Sequence, residues 1–447
     1  MKAVAMVVTV AIVAACGSSK KVARRQQMPD GTVASLGHGG SKKATSQTKT
    51  SKKATTANER LALRIDSLLQ AEDSLLTVSQ LGLHIVNLTT GEVVYSYAAQ
   101  QRMRPASTEK VVTAITALDV LGPHYQFQTQ LLTTAPLKDG VLQGDLYIKG
   151  GMDPLLTAAD VRTLAARLKA AGVRRVTGRL LADASLKDED EYGWGWCWDD
   201  DNPTLTPLLL GGKPGLAAQM LTALRNAGIT LAKGVAKGVA PATARCLAAF
   251  YRPLAEVLLP MMKESDNLCA ESVFYQLRPT PGPSRNGGER LAQGKHYSRK
   301  SAAGAVENVI ERAYSQHSLP SMTGGDGGGS LVADGSGLSL YNYQTPEVFT
   351  RLLAYAAARP DSIFNPLLEA LPIAGIDGTL KKRMTGTPAA ANVRAKTGSV
   401  TAVSTLVGYT TQRSTNQLMA FAIMNQGVSR MAEGRNFQDK VCVLMSE

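Results

Sequence analysis

The sequence predicts an α/β (α+β) fold: an antiparallel sheet assembled from both ends of the chain and flanked by helices, with a second domain inserted. Three observations carry this reading. Residues 81–95 alternate apolar positions around a Thr90-Gly91 turn, the pattern of a hairpin. Residues 393–400, 402–411 and 417–426 read as three further strands separated by Gly- or Ser-containing turns. Between these ends the chain is largely helical, except that residues 127–246 carry strand-like segments of their own.

Taken from the start, residues 3–15 form the only long apolar run, too short for the roughly 20 residues of a membrane span. Lys2 precedes the run and Val13-Ala14-Ala15-Cys16-Gly17 ends it, the charged, apolar and small-residue regions of a secretory signal. A cysteine directly after Val-Ala-Ala is similar to the lipobox of bacterial lipoproteins. That resemblance implies cleavage after residue 15, acylation of Cys16 and attachment to the membrane by a lipid anchor. The alternative is a plain signal peptide with an incidental cysteine.

Residues 17–57 hold nine lysines and arginines against Asp30 alone, a net +8 of the chain's +13. With Lys2 also set aside, residues 58–447 carry only +4, too little to suggest nucleic acid. The stretch is rich in Ser, Thr, Gly and Lys and poor in aromatics, so residues 16–57 are expected to be a disordered basic tether. The remaining composition, 44% hydrophobic and 19% charged, is that of a globular protein able to bury a core.

After the hairpin, Pro105 precedes Ser107-Thr108-Glu109-Lys110. Val111, Val112, Ile115, Leu118 and Leu121 then recur at helical spacing until Gly122-Pro123. Ser107 therefore opens a helix. Strand-like segments at 141–148 and 176–182 and a helix at 160–171 mark the inserted unit, expected at 127–246, with the main body expected at 58–126 and 247–447. Cysteines 197, 246, 269 and 442 form no C-x-x-C pair and have no adjacent histidines, which gives no support for a metal site. Cys269 lies in the apolar stretch 268–277 and reads as a buried small hydrophobe.

Single motif matches are weak, and context sorts them. Ser-x-x-Lys occurs at Ser18, Ser46 and Ser107, and Ser-x-Asn at Ser265, Ser284 and Ser414. Ser18, Ser46 and Ser284 lie in polar linkers, and Ser414 in a turn between two expected strands. Ser265-Asp266-Asn267 joins two apolar helical stretches, and Lys396-Thr397-Gly398 occurs once, on an expected strand. A serine hydroxyl needs an adjacent base to act as a nucleophile, and Lys110 lies one helical turn from Ser107 on the same face. To accept a proton that lysine must be neutral; desolvation and a second cation, for which Lys396 is the candidate, favour the neutral form. Ser265 can relay a proton to the leaving amine, and Asn267 can hold the substrate's peptide amide.

In this order the three motifs match those of penicillin-binding proteins and serine β-lactamases. The chain further resembles the D-alanyl-D-alanine carboxypeptidase/endopeptidase family, the class C low-molecular-mass penicillin-binding proteins. The likeness covers about residues 60–447 and includes the stretches 144–154, 196–200, 334–339 (Asp-Gly-Ser-Gly-Leu-Ser) and 374–380. It implies a penicillin-binding-protein/β-lactamase-like sheet and a serine D,D-peptidase without cofactor. Such an enzyme acts on the D-Ala-D-Ala terminus or D-Ala cross-links of peptidoglycan peptides and is inhibited by β-lactams.

By the same resemblance the backbone N–H groups of Ser107 and Ser399 form the oxyanion hole. Thr397, Gly398 and Ser399 form the substrate-binding stretch, in which Thr397, Ser399 and Lys396 take the terminal carboxylate. Asp200, from the inserted domain, faces an amine of the substrate's side chain. Two departures stand out: the chain passes from Asp200 to a helix at 217–227 too quickly for the family's further small domain, and Leu340 stands where an arginine is common. The implied location is the cell envelope, facing the periplasm.

Other features read as ordinary. Asp188, Asp190, Gly193 and Asp199 mimic part of a calcium loop but lack its twelfth-position glutamate, and the Gly-rich run 324–329 lacks the Gly-Lys-Ser/Thr of a phosphate cradle. Two competing functions remain. A β-lactamase would need a Glu-containing deacylation motif, which is not evident between Ser107 and Ser265, and a non-catalytic wall-binding lipoprotein would have no reason to keep the Ser, Lys, Ser, Asn, Lys set together.

Overall fold

The structure, a computed structural model, describes residues 56–277, 298–316 and 330–447. The signal segment, Cys16, the tether up to residue 55, Ser18, Ser46, Ser284 and the Gly-rich run 324–329 lie outside the described residues.

Both chain ends build one five-stranded antiparallel sheet. Its order is Arg394–Val400, Val403–Gln412, Gln417–Gln426, Gln80–Asn87, Glu92–Tyr97, so the N-terminal hairpin is added to the C-terminal meander. The join is Gln80–Asn87 against Gln417–Gln426, in register from Gln80↔Gln426 to Asn87↔Met419. Residues alternate between the two faces, as strand geometry requires. Leu406, Phe421 and Ile423 enter one core; Val407, Ala420, Ala422 and Met424 enter the other.

The first core is closed by helices Ala57–Ala71 and Met431–Ser446. The former starts at a capping box in which Thr56 and Glu59 bond each other's backbone N–H, and it buries Leu61, Ile65 and Leu69 at four-residue spacing. Each such side chain contributes about 1.5–3 kcal/mol by leaving water. The second core holds Glu109–Val120, Leu254–Lys263, Asn267–Phe274, Arg299–Gln316 and Pro346–Ala357. The site lies on this side of the sheet, at its edge strand Arg394–Val400.

Residues 126–253 form, besides one two-stranded ladder, two further sheets, ordered Val235–Lys237, Leu180–Asp183, Leu146–Lys149, Gln126–Thr133, Arg245–Pro253 and Thr230–Leu231, Arg175–Val176, Val141–Leu142, Leu137–Lys138. Helices Ala158–Ala170 and Leu216–Asn226 share a separate core with them. The expected strands at 141–148 and 176–182 are each split between the two sheets. Their bends meet: Gly178 N donates to Gly144 O at 2.9 Å, and a Cβ on Gly178 would lie 2.4 Å from the Gly144 backbone. The chain crosses from Asp200 to Leu216 with only the two-residue strands Leu209–Leu210 and Lys213–Pro214.

Candidate active site

The turn that carries Ser107 is held from both sides. Ala106–Thr108 is a single 3-10 turn leading into helix Glu109–Val120, and Ala106 takes the left-handed φ of 47°. Thr108 Oγ1 and Thr405 Oγ1 both donate to Pro105 O, at 2.6 and 2.8 Å. Strand Arg394–Val400 presses against the same turn, since a Cβ on Gly398 would lie 2.6 Å from Pro105 O and 2.9 Å from Thr108 N. From the other side comes Gly337, at φ 84°, where a Cβ would lie 1.9 Å from Ala106 O. Only glycine fits at 337 and 398.

Lys110 is fully buried and its Nζ donates to Ser107 Oγ at 3.0 Å, Asn267 Oδ1 at 2.8 Å and Ser336 O at 2.7 Å. The Ser107 contact follows from the i, i+3 spacing; the other two come from residues remote in sequence. Burial pushes the Lys110 amine down to about 8, against the pull of Asp334, Glu271 and Asp266.

Ser265 and Lys396 form the second pair. Lys396 Nζ donates to Ser265 Oγ at 2.9 Å and to Thr397 O at 2.8 Å. Ser265 sits at φ 64° in the break between helices Leu254–Lys263 and Asn267–Phe274; Asp266 caps the second by accepting from Cys269 N at 2.7 Å. Burial, and then the charge of Lys110, hold Lys396 well below the ordinary lysine value. Burial is the larger cause at both amines, and the charge of Lys110 adds to it at Lys396. Ser107, Lys110 and Asn267 thus form one hydrogen-bonded cluster and Ser265 and Lys396 a second, near enough for the charge of Lys110 to act on Lys396.

Along the edge strand, side chains alternate. Lys396 and Gly398 are buried, while Thr397 is half-buried and Ser399 exposed. Thr397 Oγ1 donates to Thr379 Oγ1 at 2.9 Å. Thr379 belongs to a turn that Lys263 anchors through its ion pair with Asp377, at 2.7 Å.

Sequence reasoning missed the residues that hold the loop 334–342. Asp334 accepts from Gly337 N, Ser339 N, Asn342 Nδ2 and, at 2.8 Å, Trp196 Nε1. The segment 194–196 therefore docks on this loop, with Leu340 N donating to Gly195 O at 3.2 Å and the Trp194 and Tyr341 rings 4.5 Å apart. Two buried acids lie behind Lys110. Glu109 accepts from Gln344 Nε2, and burial raises its carboxyl well above the usual range. Burial also pushes Glu271 up to about 8. An acid inside the apolar run 268–277 was the available signal for Glu271.

Asp200 is exposed four residues beyond Trp196, and among the described residues its carboxylate is joined to none of the three motifs. Ser414 lies in the turn between two strands, far in the topology from the cleft. Cysteines 197, 246, 269 and 442 are free, with Cys269 and Cys442 buried. Among the described residues no group of His, Cys, Asp or Glu is arranged to hold a metal.

Comparison with known proteins bears on the family and the fold. The profile of the "D-Ala-D-Ala carboxypeptidase 3 (S13) family" matches residues 61–208 and 214–447. The chain is 27% identical over 440 residues to the D-alanyl-D-alanine carboxypeptidase DacB of Haemophilus influenzae, covering 78% of this chain and 86% of that one. It is 29% identical over 480 residues to the D-alanyl-D-alanine carboxypeptidase of an Actinomadura species, covering 86% and 84%. In fold it is similar to the crystal structure of penicillin binding protein 4 (dacB) from H. influenzae, with TM-score 0.70, 24% identity, and 85% and 99% of the two chains covered. The structure of that protein complexed with a β-lactam matches with TM-score 0.64.

Proposed function

The chain belongs to the D-Ala-D-Ala carboxypeptidase 3 (S13) family of serine-type peptidases, and from that premise we propose that Ser107 is its acylating nucleophile and Lys110 the base. The observation that carries this is the set of three acceptors around Lys110 Nζ. A lysine ammonium has three donors, whereas the neutral amine has two and a lone pair. With Asn267 Oδ1 and Ser336 O taking two hydrogens, the neutral amine's lone pair faces Ser107 Oγ. The same frame serves both protonation states, so no reorganisation is needed when the proton moves.

Ser107 Oγ then attacks the carbonyl of the penultimate D-Ala as its proton passes to Lys110, and the backbone N–H groups of Ser107 and Ser399 hold the oxyanion. The outer side of strand Arg394–Val400 is bonded at its start, where Ala395 N donates to Pro372 O at 3.0 Å, and its remainder, from Thr397 onward, would receive an extended peptide, the strand-addition mode of recognition. Lys396, Thr397 and Ser399 receive the terminal carboxylate, and Gly398 lets the strand approach the nucleophile turn. That carboxylate raises Lys396 toward its charged form. The leaving amine takes the Ser265 proton, which Lys396 replaces, and water hydrolyses the acyl-enzyme. The substrate is peptidoglycan peptide ending in D-Ala-D-Ala or cross-linked at D-Ala, and β-lactams acylate the same serine.

Several further assignments belong to this reading. Residues 127–246 act as an inserted domain in a D,D-peptidase body of 58–126 and 247–447. Asp200 pairs with a side-chain amine of the stem peptide. Residues 1–15 are removed and acylated Cys16 anchors the enzyme by a tether in the cell envelope, facing the periplasm.

The test is labelling of the mature protein with a fluorescent penicillin, with free D-Ala measured from purified muropeptides. Ser107→Ala should abolish adduct and D-Ala release while the thermal unfolding midpoint holds. An adduct mapped by mass spectrometry to another serine would reject Ser107, and rapid turnover of the drug would favour a β-lactamase.

A further inference from the structure

Helix Asn267–Phe274 presents two polar side chains one turn apart to the region behind the base. Asn267 accepts from Lys110 directly. Glu271 has no part in the reaction derived above, yet it is buried in an otherwise apolar run, where an acid costs desolvation free energy. Its Oε1 accepts from Gly335 N at 3.1 Å. The next residue, Ser336, offers its carbonyl to Lys110 Nζ at 2.7 Å. Thr113 Oγ1, one turn beyond Lys110, donates to Gly335 O at 2.7 Å, so this short segment is held on both of its edges.

We propose that Glu271 is a positioning residue for the acylation base: it fixes the Gly335–Ser336 segment against Lys110 and keeps a carboxyl group beside the amine. The inference rests on the reading of Lys110 as that base. In its charged form Glu271 favours the lysine ammonium, and in its neutral form it releases Lys110 to accept the serine proton. Burial and the charge of Asp334 push Glu271 up to about 8, while hydrogen bonds from Ser336 and the charge of Lys110 pull the other way. Burial brings Lys110 down to about the same place. The charge on the carboxyl group therefore bears on the protonation of the amine through the Gly335–Ser336 segment that both groups bond.

The other charged or titratable groups around the pair are Asp334 from the loop, Asp266 at the cap of the helix that carries Glu271, Cys269 within that helix, Tyr275 just after it, Glu109 beside Lys110 in sequence, and Lys396 on the edge strand. None of these accepts from the Gly335 backbone N–H, and the Asp334 carboxylate is taken up instead by Gly337, Ser339, Asn342 and Trp196. Glu271 is the acid placed to act on the base through one peptide.

The test is the second-order rate constant for acylation by a fluorescent penicillin, measured against pH in the full-length protein and in Glu271→Gln and Glu271→Asp. Glutamine keeps an acceptor for Gly335 N and removes the charge, so its ascending limb should move down by on the order of one pH unit. Aspartate keeps the charge on a shorter stem, so its limb should stay while the plateau falls. A limb in Glu271→Gln that coincides with wild type overturns the proposal, even if the plateau falls, because a purely structural glutamate would give that result. Should Glu271→Gln fail to fold, the Glu271 carboxyl is followed in wild type by isotope-edited infrared titration; ionisation in the ordinary glutamate range overturns the proposal, and ionisation alongside the acylation limb supports it. A wild type with no ascending limb rejects Lys110 as the base instead, which separates the two failures.

Discussion

Asn267 Oδ1 lies 2.8 Å from Lys110 Nζ, so the second motif touches the first at Lys110, across 157 positions of sequence. In the proposed reaction Asn267 has a duty beyond the substrate amide: it fixes one hydrogen of the amine whose lone pair points at Ser107.

Asn267→Ala should lower the acylation rate constant by about tenfold to a hundredfold, the equivalent of about 1.5–3 kcal/mol for a hydrogen bond to a charged group. Penicillin labelling kinetics measure it. A rate within twofold of wild type would mean that Ser107 and Ser336 orient the amine without Asn267.

Acylation should rise with pH as Lys110, held near 8 by burial, loses its proton. Burial and then the charge of Lys110 hold Lys396 well below the ordinary lysine value, so the two amines act on each other. Lys396→Ala should therefore weaken binding of carboxylate-terminated substrates and move the ascending limb of kcat/KM upward, since Lys110 loses a neighbouring cation. An unchanged limb in this variant would show that Lys396 does not tune the base.

Glu109→Gln should stabilise the protein more at alkaline than at acidic pH. The folded-state pKa of Glu109 is raised, so its contribution is full below the ordinary glutamate range and is lost as pH rises through the elevated value. Glutamine keeps an acceptor for Gln344 Nε2 and has no proton to lose. Thermal unfolding midpoints at about pH 5 and about pH 9 measure the difference; a gap between variant and wild type that is the same at both would mean that Glu109 ionises as freely folded as unfolded.

Asp200→Asn should erase a preference for donors with a free side-chain amine, worth about 1–3 kcal/mol if the pair is desolvated. Donors bearing diaminopimelate, lysine and N-acetyl-lysine are compared. Equal rates for all three in wild type would reject the Asp200 role. With Leu340 in place of a guanidinium, discrimination for the adjacent carboxylate should be weak, and a strong diaminopimelate preference would point to another cation.

What could be read from the sequence follows from what each residue type signals by itself. The outer sheet was legible because its strands alternate and are cut by Gly and Ser turns, and Ser107–Lys110 because i, i+3 on a helix puts both on one face. The Ser336 carbonyl was not, since every residue has one. The left-handed Ala106 and Ser265 carry no mark either, for neither is a glycine. The strands at 141–148 and 176–182 looked continuous because the Gly144–Gly178 contact that breaks both lies between segments 34 positions apart.

The sheet's composition from both chain ends also bears on synthesis. Strand Gln80–Asn87 is flanked by Glu92–Tyr97 and by Gln417–Gln426, and the latter, with Lys396 nearby in sequence, emerges from the ribosome more than three hundred residues later. Until then the early hairpin has one edge and a hydrophobic face uncovered, and Thr405 is not there to clamp Pro105. A nascent or truncated chain thus holds Ser107 without the turn that aims it. The nucleophile turn is therefore complete only once the last strands are in place, and until then the early hairpin keeps an unpaired edge.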